Sequence, residues 1–397
     1  MNKMTIDDVK LKSKNVLVRV DFNVPIENGV VTDSTRIIES LPTIKKILSE
    51  GGRAILMSHL GRPKGKPDAK YSLLPVAKKA SELLGIEVKF ASDCIGENAK
   101  KAVASLNDGD CLLLENLRFH PEEEENDESF AKELASLGDI YVNDAFGSAH
   151  RAHASTEGIT KFIKPAVAGY LMQKELNYLG KALENPVRPF TAILGGAKVS
   201  GKIDVIQNLM NKVDTLIIGG GMAYTFFKAQ GFEVGNSLVE TDKLDLAKSI
   251  LSEITNKKIK FLLPVDCVIA NEFKNEAQKQ IVKISEIKPG WQGLDIGPET
   301  IRLFSEEIVK SRTIVWNGPM GVFEMDNFAT GTHEIAKSLV SATKNGATTI
   351  VGGGDSAAAI AKFGLDKSVS HVSTGGGASL EFLEGKVLPG VAALTNK

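Results

Sequence analysis

The stretch Thr348-Thr349-Ile350-Val351-Gly352-Gly353-Gly354-Asp355-Ser356 reads as a short β-strand running straight into a glycine cluster. A run that is apolar on both faces suits a strand buried in a parallel sheet, and parallel strands need helical crossovers. The pattern recurs in Leu194-Gly195-Gly196-Ala197-Lys198, in Ile218-Gly219-Gly220-Gly221, and in Thr374-Gly375-Gly376-Gly377 after residues 369–373. Glycine removes the Cβ and lets backbone N–H groups crowd around an anion, while the next helix presents its positive N-terminus. Close packing alone explains one such loop. Four at the carboxyl ends of parallel strands point to a phosphate-rich ligand in the crevice there.

The loops do not fit the common nucleotide fingerprints. Gly196 to Lys202 has the spacing G-x-x-x-x-G-K, but Ile203 stands where a P-loop needs a hydroxyl for magnesium. Gly352-Gly353-Gly354-Asp355-Ser356-Ala357 matches the dinucleotide pattern G-x-G-x-x-A. That motif wants an acid at the end of the next strand, and Ser373-Thr374-Gly375 supplies none. Asp355 would repel a bare pyrophosphate but suits one carried behind Mg²⁺. Lys198 and Lys202, four apart at the entry to a helix, are expected to share a face as phosphate clamps.

Outward from these loops, strands are expected at 16–20, 54–57, 111–114 and 140–142, then at 190–194, 215–218, 261–263, 313–315 and 348–351. Their alternation with helical stretches predicts two doubly wound, parallel-sheet (Rossmann-like) α/β domains. Met172, Leu176, Leu179 and Leu183 fall on one helical face before Asn185-Pro186, so residues 172–185 are read as an interdomain helix and hinge. The acidic run 122–125 is read as a solvated helix start.

With 397 residues, 48 basic against 49 acidic, the chain has no overall field for nucleic acid or an anionic membrane. No apolar run approaches the length of a membrane span, and residues 1–10 carry none of signal-peptide type. Three widely spaced cysteines read as reduced core thiols, so a cytoplasmic location is expected.

The first half carries a basic constellation. Asp21 and Asn23 sit on one side of Val20-Asp21-Phe22-Asn23-Val24-Pro25. Arg36, His59 and Arg62 in Ser58-His59-Leu60-Gly61-Arg62-Pro63, Arg118 in Glu115-Asn116-Leu117-Arg118-Phe119, and Arg151 follow, most of them at strand ends. Arginine stays charged and grips phosphate or carboxylate through a planar fork, so a pocket for a small phosphorylated acid is expected. The sequence offers no nucleophile-plus-base pair and no histidine spacing for a metal. Transfer to an ionised carboxylate needs only alignment and charge neutralisation.

These motifs, with Asn143-Asp144-Ala145-Phe146, Gly195-Gly196-Ala197-Lys198-Val199, Trp316-Asn317-Gly318-Pro319 and residues 218–222, 352–356 and 373–379, resemble the phosphoglycerate kinases over essentially the whole length. The resemblance implies reversible in-line transfer between 1,3-bisphosphoglycerate and MgADP, giving 3-phosphoglycerate and MgATP, in a cytoplasmic monomer. Asp21, Phe22, Asn23, Arg36, His59, Leu60, Gly61, Arg62, Arg118 and Arg151 would hold the acid. Arg36 and Lys198 would stabilise the phosphoryl group in flight. Gly196, Ala197, Lys198, Lys202, Gly220, Gly293, Asn317, Glu324, Gly353, Gly354, Asp355 and Ser356 would hold the nucleotide, with Mg²⁺ on Asp355. The acid-binding domain would comprise residues 1–171 with a C-terminal return of 380–397, and the nucleotide domain residues 186–379. Ligands on separate domains imply closure when both are bound.

Two rivals follow from the glycine loops alone. An NAD-dependent dehydrogenase lacks its ribose-binding acid. A non-catalytic nucleotide-binding protein would be favoured by loss of Arg36, Lys198 or Asp355, and all three are present.

Overall fold

Strands β1 (Asn15–Arg19), β2 (Arg53–Met57), β3 (Val88–Ala91), β4 (Cys111–Leu114), β5 (Ile140–Asn143) and β6 (Ala166–Ala168) build one sheet in the computed structural model, which describes residues 2–257 and 259–397. The strand order is β3-β4-β2-β1-β5-β6, and every neighbouring pair is parallel. A second parallel sheet joins β7 (Phe190–Leu194), β8 (Thr215–Ile218) and β9 (Lys260–Leu262) to three later strands. These are β13 (Thr313–Asn317), β14 (Thr348–Gly352) and β15 (His371–Val372), in the order β9-β8-β7-β13-β14-β15. The inner strands of both sheets are buried on both faces, as the apolar runs require, while the edge strand β9 is partly exposed. Among the described residues no helix is long and apolar enough to cross a membrane.

The chain divides into a unit of residues up to Asn177 with Val387–Lys397, and a unit of Tyr178–Lys386. The helix expected over 172–185 runs Tyr170–Glu184, and the division falls inside it. The return of the chain to the first unit begins at Val387 instead of 380. Residues Gly377–Leu383 form a helix packed on helix Ile203–Leu209, and Asn208 Nδ2 donates to the Leu383 carbonyl at 2.7 Å. The last eleven residues are tied to the first sheet instead. Gly390 N–H donates to Ala149 O at 2.8 Å, and Thr395 N–H to Ala166 O at 2.8 Å.

In the first unit, helix Thr35–Ser49 lays Ile37, Leu41, Ile44 and Ile47 on the sheet, spaced by four, three and three residues. Each fully buried isoleucine is worth about 1.5–3 kcal/mol. In the second unit, the fully buried Trp316 on β13 packs among Ile193, Phe304 and Ile335. Its indole N–H donates to Gly318 O at 2.7 Å, which satisfies the ring's polar atom and anchors the loop after β13.

An antiparallel sheet of β10 (Asp266–Ala270), β11 (Lys279–Lys283) and β12 (Gln292–Ile296) escaped the sequence reading, as did β3 and β6. β11 is nearly all exposed, with Ile281 turned to solvent, so it carries no buried run to recognise. The acidic run forms the expected short helix Glu122–Glu125, but it is not uniformly solvated: Glu123 is fully buried and accepts from Ser155 N–H and Oγ–H.

Candidate active site

In the second unit β7 and β13 are neighbours from which the strand order runs in opposite directions, and this switch point of an open parallel sheet is where ligands settle. The loops after β7 and β13 are stitched together: Gly195 N–H donates to Asn317 O at 3.0 Å and Gly196 N–H to Pro319 O at 2.9 Å. No side chain fits between them. A Cβ on Gly195 would stand 2.2 Å from Pro319 O and 2.6 Å from Gly318 O.

Two cavities, of about 330 and 310 Å³, open over this switch point and share Gly196, Ala197 and Asp355. The first is the more apolar, with Tyr224, Leu238, Phe273 and Met320 in its walls. Gly293 and Gly220 line it, and the exposed Glu324 stands at its edge. A Cβ at Gly293 would fall 1.7 Å from Tyr224 Oη, so only glycine lets Tyr224 pack against this wall of the cavity. The second cavity is polar, lined by Lys198, Lys202, Asn317, Gly353, Gly354, Asp355 and Ser356. Gly353, at φ +88°, turns β14 into helix Gly354–Lys362, whose first N–H groups lack intrahelical partners. Ser356 Oγ accepts from Gly318 N–H at 2.6 Å, which ties the loop after β13 to the start of this helix.

Lys198 and Lys202 line one cavity but not one helical face, contrary to the expectation from their spacing. Helix Ile203–Leu209 begins only after Lys202; Lys198 lies in the preceding loop and is exposed, while Lys202 is half-buried. The Lys202 ammonium donates to Asn317 Oδ1. Burial pulls its pKa down to about 8, and nearby Asp355 and Glu384 only partly offset that fall. Among the described residues Asn317 Nδ2 is buried with no hydrogen-bond partner. An orphaned donor, a desolvated cation and a row of bare N–H groups together fit a polyanion. Asp355, an exposed carboxylate beside them, is a hard oxygen donor suited to a divalent cation shared with phosphate oxygens.

In the first unit the basic residues gather beyond the carboxyl ends of β1, β2, β4 and β5. Arg36 Nη1 donates to Asp21 Oδ2 at 2.8 Å. Asn23 Oδ1 accepts from Gly61 N–H at 2.9 Å, and Arg118 Nη1 donates to Gly61 O at 2.8 Å. Asp21 and Asn23 thus orient the arginine and the glycine turn. Gly61, at φ +61°, has the Tyr71 ring where a Cβ would be. Phe22 and Leu60 contribute backbone: Phe22 N–H donates to Ser58 Oγ at 2.9 Å, and Asn116 clamps both N–H and C=O of Leu60. His59 is buried, and its pKa is driven well below the usual histidine value by burial, then by the charges of Arg19, Arg118, Arg36 and Arg151. Arg151 Nε lies 3.2 Å from His150 Nε2. Arg62 is exposed and, among the described residues, makes no hydrogen bond or ion pair.

Sequence reasoning missed Arg19, whose guanidinium is fully buried under this cluster, and Asn116, which shapes the 58–61 turn. It also missed that Asp93, Cys94 and His120 approach within 4.8 Å. His120 Nε2 and Asp93 Oδ1 pair at 2.8 Å, and burial keeps the Cys94 thiol protonated.

Fold and site define an α/β protein with one arginine-rich and one glycine- and lysine-lined crevice at the carboxyl ends of parallel strands, the architecture expected of a phosphotransferase. The phosphoglycerate kinase model matches residues 6–386. The chain is 62% identical to the phosphoglycerate kinase of Chloroherpeton thalassium over 396 residues and to that of Chlorobium chlorochromatii over 397, with all of each chain covered. It is similar to the solved structure of phosphoglycerate kinase from Coxiella burnetii, with a TM-score of 0.91, 42% identity and 98% of each chain covered. The enzyme from Pyrococcus horikoshii gives a TM-score of 0.85 at 32% identity, again over 98% of each chain. The chain belongs to the phosphoglycerate kinase family. It is a glycolytic kinase with a carboxyl group as acceptor.

Proposed function

We propose that the first unit holds 3-phosphoglycerate, or the glycerate part of 1,3-bisphosphoglycerate, and that the second holds MgATP or MgADP, with direct transfer between them. The observation that carries this reading is the polar cavity over the β7/β13 switch point, where Lys202, the orphaned Asn317 Nδ2 and the N-terminus of Gly354–Lys362 converge. The apolar cavity, continuous with it through Gly196 and Ala197, takes the adenosine end. In the first unit Arg62, Arg118 and Arg151 neutralise the phosphate and carboxylate of the acid, and Asp21 and Asn23 hold Arg36 and the Gly61 turn in place.

The acceptor is an ionised carboxylate, so no residue needs to take a proton from it. What the chain supplies is alignment and charge. Arg36 and Lys198 neutralise the oxygens of the phosphoryl group in flight, and Lys202 holds the chain of phosphates. Asp355 would hold Mg²⁺, which when bound withdraws charge from the phosphate oxygens. Because the acid and the nucleotide lie on separate units, the units must close for the reacting oxygens to align and for water to leave. The chain is read as a cytoplasmic monomer, from the family and from its three buried free thiols.

Two results test this reading. Replacing Arg151 by alanine removes a charge-assisted contact worth about 1.5–3 kcal/mol, so KM for 3-phosphoglycerate is expected to rise about 10- to 100-fold. KM for MgATP should stay unchanged; a rise in the nucleotide KM alone would move Arg151 out of the acid site. The second result concerns protons. Free Lys202, with a pKa pulled down to about 8, is half neutral at pH 8, and bound phosphates favour its charged form. Nucleotide binding should therefore take up about half a proton at pH 8 and progressively less as pH falls below 7. Calorimetry in buffers of different ionisation enthalpy reads this directly. The uptake should vanish in Lys202→Met, and an uptake unchanged in that variant would contradict the assignment.

A further inference from the structure

Arg19 closes the carboxyl end of β1 after the apolar run Val16-Leu17-Val18, yet only 1% of it is exposed. Its Nε donates to Ser155 Oγ at 2.9 Å, its Nη1 to Val20 O at 2.5 Å, and its Nη2 reaches Ser148 Oγ at 3.5 Å. Nη2 also lies 3.1 Å from His59 Nδ1. A buried guanidinium needs a counter-charge, and Glu123 supplies it one residue away. Its fully buried carboxylate accepts from Ser155 Oγ–H at 2.5 Å and Ser155 N–H at 2.9 Å.

We propose that Arg19 is a positioning residue that fixes His59 as a neutral donor, with Nδ1 bare toward the guanidinium and Nε2–H presented to the substrate. This rests on the reading of His59 as a substrate-binding residue. The chemistry leaves one assignment for the ring. A guanidinium carries five N–H donors and no acceptor, so Nδ1 at 3.1 Å must accept, and the ring proton must sit on Nε2. A protonated ring would turn an N–H toward an N–H.

The surroundings enforce the same state. The charged groups acting on His59 are Arg19, Arg36, Arg118 and Arg151, all cations, and with burial they hold the ring neutral. The nearest acid in the network, Glu123, faces Ser155 and, at 3.9 Å, His153, whose own pKa burial lowers to about 4. Among the described residues no hydrogen bond engages His59 Nε2, which leaves that donor for a ligand oxygen. His59 then contributes direction to substrate binding and no net charge. Its contribution is constant across the range in which a free histidine titrates, pH 5 to 8.

The test is histidine ring ¹⁵N spectroscopy of the wild-type enzyme between pH 5 and 8, with the His59 signals assigned by their loss in His59→Gln. The expected spectrum shows an unprotonated Nδ1 and a protonated Nε2, without titration, and an Nε2 signal that shifts on saturation with 3-phosphoglycerate. The double variant Arg19→Met/Glu123→Gln removes both buried charges together, so neither is stranded. In it the ring should populate both tautomers, and KM for 3-phosphoglycerate should rise about tenfold while KM for MgATP stays fixed. A protonated Nδ1, or a wild-type ring that titrates in this range, overturns the inference whatever His59 binds. A bare Nδ1 beside an Nε2 signal indifferent to 3-phosphoglycerate contradicts instead the substrate role on which the inference rests.

Discussion

Arg36→Ala is expected to lower kcat by about 10³-fold, which corresponds to about 4 kcal/mol of transition-state stabilisation. The argument starts from geometry. One arm of the guanidinium is tied to Asp21 Oδ2 at 2.8 Å, and the side chain remains 38% exposed, so the other donors are free to meet a ligand. The transferring phosphoryl group spreads its charge over three equatorial oxygens in a loose transition state, and a planar fork held in place matches that charge as it develops. Because the contact strengthens as charge develops, the loss should fall mainly on kcat and less on KM for either substrate. Arg36→Lys keeps the charge but not the fork and should recover only part of the rate. Steady-state kinetics with both substrates varied decides the matter. A rise confined to KM for 3-phosphoglycerate would make Arg36 a ground-state binding residue only.

Gly195→Ala is expected to raise KM for MgATP at least tenfold and to destabilise the second unit by about 1–3 kcal/mol, while leaving KM for 3-phosphoglycerate unchanged. The added methyl would meet Pro319 O at 2.2 Å and Gly318 O at 2.6 Å, both backbone atoms that cannot swing aside. Relief requires the loops after β7 and β13 to part, stretching the hydrogen bonds from Gly195 to Asn317 and from Gly196 to Pro319. Those loops form the floor of the polar cavity, so a stability change and a nucleotide KM change should appear together. Thermal unfolding and the two KM values read both effects. An unchanged nucleotide KM would show that the loops do not set the phosphate position.

The parallel architecture was legible because strands buried on both faces leave unbroken apolar runs, and each run at the switch point ends in glycine. The basic residues were legible by type and by their place after a strand. Their mutual geometry was not. Arg19 sits inside an apolar run, and its burial depends on Ser155, 136 residues away, and on His59, 40 away. Glu123 looked like one of four solvated acids, because nothing local distinguishes the one that meets Ser155. The clamp spacing of Lys198 and Lys202 presupposed a helix that starts at Ile203 instead. The antiparallel β10–β12 sheet half faces solvent and leaves too weak a pattern to read, although its Gly293 lines the apolar cavity.

The most direct test of the central claim is a coupled assay of the wild-type chain with 3-phosphoglycerate and MgATP, trapping the acyl phosphate as it forms. The account predicts turnover that requires both substrates and the divalent cation together. A folded chain that binds both ligands yet forms no acyl phosphate would contradict it.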